Sequence, residues 1–126
     1  MAIPTTAKAL SQPLDPADID YYGLIVTQAG TDTDPFPILN AGETITSYTL
    51  ALPAEAVAAG LTIRADAGRE MTLVGNALTF WLSIDPALAS SSIFDGAGVT
   101  LPLELTVNTS GLRRKQKTST ITVKQQ

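Results

Sequence analysis

The chain has 126 residues, no cysteine and no histidine, with 8 Lys and Arg against 12 Asp and Glu. That inventory excludes a thiolate nucleophile, an imidazole base, a Ser-His-Asp triad and a Cys/His zinc centre. Only 16% of residues are charged and 44% are hydrophobic, which predicts a surface that associates with partners.

At this length one domain is expected, with a core large enough to need no disulfide. No run approaches the ~20 apolar residues of a membrane span, so no membrane partner is expected. Residues 1–8 have neither the basic nor the apolar region of a secretory signal, so a chain that stays in the cytosol where it is made is expected.

In chain order, residues 1–18 read as an arm broken by Pro4, Pro13 and Pro16. Two readings stand: a disordered tail, or an extended arm that orders on a neighbouring subunit with Ile3, Leu10 and Leu14 as anchors. Residues 19–27 read as the first strand. Residues 28–43, rich in Gly, Thr, Asp and Pro, read as a loop. Residues 44–52 form a second strand stopped by Pro53. Residues 54–59 suit one or two helical turns ended by Gly60. Residues 61–64 and 71–74 read as short strands around a polar turn.

The next two strands carry the clearest signal. In residues 78–84, Leu78, Phe80, Leu82 and Ile84 alternate with the rest, and Trp81 falls on the opposite face. In residues 99–107 every odd position is apolar, the period-two pattern of a half-buried strand. Pro102, in the outward set, argues for an edge or a bulge there. The last strand is expected at 118–124, with Ser119, Ile121 and Val123 inward. About seven short strands and no long helix predict an all-β fold, an immunoglobulin-like β-sandwich over residues 19–126.

Charge is uneven. Residues 1–104 hold 3 cations and 12 acids, whereas residues 105–126 hold 5 cations and no acid. Arg113, Arg114, Lys115 and Lys117 read as a basic turn between the last two strands. Three readings apply: a solvated hairpin tip, a subunit contact with acidic loops of another copy, or a phosphate contact. Against nucleic acid stand the missing interleaved aromatics, the acidic balance and the lack of a nucleic-acid fold motif.

The acids at 15, 18 and 20, and those at 32 and 34, lack the spacing of a calcium loop and read better as turn starters. Glu43, Glu55, Glu70 and Glu104 show no pairing suited to glycoside hydrolysis. Asp95-Gly96-Ala97-Gly98 lacks the Lys-Ser/Thr of a phosphate loop and reads as a turn. No metal, cofactor or catalytic residue is expected. Trp81 is either packed in a second layer or an aromatic anchor at an interface.

Residues 45–53 (Ile-Thr-Ser-Tyr-Thr-Leu-Ala-Leu-Pro), Gly60-Leu61, Trp81-Leu82-Ser83 and the alternating run 99–107 followed by Thr109-Ser110-Gly111-Leu112-Arg113 occur in a familiar order. Together with Asp20-Tyr21 they resemble small tailed-bacteriophage virion proteins of the fibre–tail adaptor type, from about residue 15 to the C-terminus. Leu50 stands where those proteins have Trp, and Leu112 separates Gly111 from Arg113.

The resemblance implies an Ig-like virion component, non-enzymatic, present in several copies and bound to tail, neck or fibre proteins. A capsid decoration protein clamping the shell through its arm is the second expectation. A carbohydrate-binding module for the host surface is the third.

Overall fold

The computed structural model describes residues 8–10, 12–28, 36–39 and 42–126. The fold is all-β: two sheets enclose one apolar core, with short helical turns beside them. The strands are β1 (Lys8–Ala9), β2 (Ile19–Gln28), β3 (Phe36–Leu39), β4 (Ile45–Ala51), β5 (Leu61–Ile63), β6 (Thr72–Val74), β7 (Ala77–Ile84), β8 (Val99–Thr109) and β9 (Arg114–Val123). One sheet runs β1-β9-β8-β4. The other runs β3-β2-β7-β5, with β6 also on β7.

Alternation builds the core. Leu78, Phe80, Leu82 and Ile84 of β7 face Leu101, Leu103, Leu105 and Val107 of β8, and all eight are buried. Ile121 and Val123 join them from β9, and Tyr22 and Leu24 from β2. Phe94, on a 3-10 turn (Ser92–Phe94), is fully buried among them. The helical turn α1 (Ala54–Ala58) forms where expected, starts after Pro53 and precedes Gly60.

Four sequence expectations change. The first concerns the arm, which is extended and docked on its own domain. β1 pairs in parallel with β9, placing Lys8 beside Ser119. Beyond it, Leu10 N–H donates to Thr120 O at 2.8 Å, and Leu14 N–H to Thr122 O at 2.9 Å. Leu14 is only 1% exposed and belongs to the core, so it is not free to anchor on a neighbour. Leu10 is half-buried against the same core. The unpaired edge of β9 is what holds the arm, because its carbonyls need donors. Ile3 lies outside the described residues.

The second concerns the expected loop at 28–43, which contains β3, paired in parallel with β2. Pro37 is tolerated because β3 closes the end of its sheet.

The third concerns Pro102, which is buried in β8, a strand with neighbours on both sides. Thr120, its partner on β9, turns its carbonyl toward the arm, so Pro102 turns its donor-less nitrogen toward the β4 side. There the β4 ladder has stopped at Ala51–Glu104. The proline therefore sits where no donor is required.

The fourth concerns the last strand, which starts at Arg114 rather than near residue 118. The β8–β9 turn is confined to residues 110–113. Gly98, just before β8, has φ +74, and a Cβ there would lie 2.1 Å from Val123 O. Only glycine fits that approach.

Candidate interaction surfaces

The β8–β9 turn is built around a buried carboxylate. Glu43, 8% exposed at its side chain, precedes β4 and receives a bidentate grip from Arg113 Nε (3.0 Å to Oε2) and Nη2 (to Oε1). Thr109 Oγ1 donates to the same Oε2 at 2.6 Å. The fork geometry of a guanidinium matches a carboxylate in this way. Contact with Glu43 raises the Arg113 pKa above its ordinary value. Thr44 N–H donates to Ser110 Oγ at 3.0 Å, and Ser110 N–H to Thr44 O at 2.9 Å. A Cβ on Gly111 would fall 2.2 Å from Glu43 Oε2, so any larger residue there must displace the carboxylate. Arg113 is thus a structural brace, not a free interface cation.

The residue between Gly111 and Arg113 shows the opposite. Leu112 takes φ +62, a left-handed conformation, and is 98% exposed. For a leucine that conformation costs roughly 1–2 kcal/mol relative to the right-handed one. Sequence reading passed over Leu112 because an isolated leucine in a turn carries no periodic signal.

The remaining basic residues do not form one patch, because strand neighbours point to opposite faces. Arg114 pairs with Asn108 on the outer face, where its Nε lies 3.4 Å from Asn108 Oδ1. Lys115 and Lys117 pair with Val107 and Leu105, so they share the inner side of the sheet. Lys115 is exposed and Lys117 half-buried there.

The outer face of the five-stranded sheet is aromatic. Register places Tyr21 beside Trp81, with ring centroids 5.2 Å apart and planes tilted by 47°. Tyr21 is 61% exposed and Trp81 half-buried. The Arg69 guanidinium lies 5.8 Å from the Trp81 ring centroid, within cation–π reach. Asp66 holds Arg69 (2.8 Å) beside the ring and also pairs with Arg64 (3.0 Å). Those hydrogen bonds, the Arg69 one first, lower the Asp66 pKa below 3.8. Ile19 extends the apolar strip, and Trp81 packs half-buried between Tyr21 and Arg69.

Tyr22 turns inward from the same strand. Its hydroxyl is buried without a hydrogen-bond partner among the described residues. Burial first, then the charges of Asp20 and Asp18, push its pKa up to about 12.

The remaining carboxylates serve local structure. Asp15 accepts from Ala17 N–H at 2.8 Å and Gln126 N–H at 2.9 Å. Asp20 accepts from Tyr21 N–H, and Glu104 from Gln116 Nε2. The acids at 32 and 34 lie outside the described residues. Among those described, no three His, Cys, Asp or Glu side chains converge as a metal site, and no helix is long and apolar enough to cross a membrane. Asp95 to Gly98 forms a tight turn into β8, with Gly98 N–H donating to Asp95 O at 3.0 Å. Compared with known proteins, the chain matches no family model, no curated protein and no solved structure.

Proposed function

We propose that the chain is a non-enzymatic structural domain of a tailed-bacteriophage virion, an immunoglobulin-like sandwich that joins tail, neck or fibre proteins in several copies. The observation that carries the reading is the contrast between its polar groups and its exposed apolar ones. Arg113, Glu43, Asp15 and Asp66 are tied into local structure. The open surface instead offers Leu112, Tyr21, Ile19 and the edge of Trp81. Exposed aromatic and aliphatic anchors suit permanent docking better than turnover. The order of motifs shared with fibre–tail adaptor proteins supports the same reading.

Immunogold labelling of intact particles tests it. Label on the tail or neck is the expected result; label over the shell favours the decoration role, and unlabelled particles overturn the virion reading. A second reading, a host-glycan module, draws on the Tyr21–Trp81 pair, since paired aromatics can stack on sugar rings. A glycan array with binding abolished by Trp81→Ala supports that reading, and an array without hits removes it.

A further inference from the structure

Leu112 carries two liabilities, a left-handed backbone and almost complete exposure; its N–H donates to Thr109 O at 3.1 Å, but its side chain gains almost no burial in the described fold. Glycine or asparagine would accept that conformation more readily. The Arg113–Glu43 brace and the Ser110–Thr44 pair fix the turn that presents this side chain. A rigid presentation lowers the entropy lost on docking. Just behind it, Arg114 and Lys115 are exposed on opposite faces of β9 and give this end of the strands positive charge.

A receptor of matching character lies at the other end of the strands. There the start of β2, the end of β7 and the chain after it enclose a cavity of about 240 Å³. Pro16, Ala17, Ile19, Ile84 and Ala89 give it apolar walls, and Asp18 lines it. This exceeds the roughly 150 Å³ that a benzene-sized group fills in a protein interior. Asp15, Asp20 and Asp85 stand on the segments that form this end. Arg64, in the wall, is already paired with Asp66.

The tip and the cavity cannot meet within one molecule. β8 separates the two ends with 11 residues, about 35 Å at strand rise. Joining them between molecules makes a head-to-tail contact, which closes into a ring or continues as a filament.

We propose that Leu112 of one copy seats in the cavity lined by Ile19, Ile84 and Ala89 of the next, so that the chain assembles head to tail. The inference goes beyond the virion reading, because the purified chain alone tests it.

Sedimentation of the full chain across a concentration series, at low and high salt, is the experiment. The wild type is expected to form species larger than a dimer that weaken with salt, since the charges behind the tip steer the contact. Leu112→Asn and Leu112→Gly, both suited to the left-handed position, are each expected to weaken assembly at least tenfold while keeping the native circular dichroism. Ala17→Lys, at the cavity mouth, is expected to do the same. An equimolar mixture of Leu112→Asn and Ala17→Lys retains one good tip and one good cavity, so it is expected to stop at a 1:1 dimer. A monomeric wild type, undiminished assembly of either Leu112 variant, or a mixture that stays monomeric overturns the proposal.

Discussion

Leu14 and Leu112 are the same side chain in two opposite situations. Leu14, near one end of the chain, is 1% exposed and locked by backbone bonds to β9 on both sides. Leu112, at the opposite end of the strands, is 98% exposed on a left-handed backbone. The first contributes to the core, and the second adds nothing to it. A hydrophobic residue in an irregular segment therefore says nothing about its role until the nearest unpaired strand edge is known.

The largest expected effect breaks the Leu14 half of that contrast. Leu14→Ala should cost about 2–5 kcal/mol, read from urea unfolding, because it leaves a cavity among residues that cannot collapse fully. Deleting residues 1–14 should lower thermal stability for the same reason, and it also strips the donors from the β9 edge. A truncated chain as stable as the whole would return Leu14 to the role of a free anchor.

The next effect tests the brace beneath Leu112. Gly111→Val should displace the Glu43 carboxylate and loosen the turn, lowering the melting temperature by several degrees. Hydrogen exchange should rise at Thr44 and Ser110, whose amides hold the turn. Unchanged protection there would mean that the brace is not what fixes the tip.

A smaller effect concerns Tyr22, the buried neighbour of exposed Tyr21. Its pKa is raised from 10.0 to about 12, so the folded state prefers the neutral phenol. Its contribution is fully present below pH 10, and it is lost as pH rises from 10 toward 12. Tyr22→Phe removes a buried hydroxyl without a described partner, so it should be neutral or stabilising by up to about 1 kcal/mol. It should also flatten the alkaline limb of stability. The smallest effect is Leu112→Gly, expected to leave unfolding unchanged or raise stability by about 1 kcal/mol through backbone relief.

Much of the sheet core was legible because alternation is a local signal. Phe80, Leu82, Leu103 and Leu105 all fall where their period places them. Trp81 likewise falls on the face opposite Phe80. β1 and β3 were not legible: each is short, carries no period and exists only because a longer strand offers an edge. Phe94 was missed because a lone aromatic in a turn looks like any other loop residue.

The basic run was legible as charge but not as geometry. A strand beginning at Arg114 separates its neighbours onto two faces, and Arg113 finds Glu43, 70 positions away. Such a partner can be found only from the fold. Leu112 was on view in the sequence, but its exposure depends on a backbone angle that composition does not encode.

The structural role is tested most directly by counting the chain in gradient-purified phage particles with isotope-labelled peptide standards. A fixed copy number per particle, tens or fewer for a tail or neck position, is the expected result. Particles that lack the chain, or carry it in amounts that vary from one preparation to the next, contradict that role.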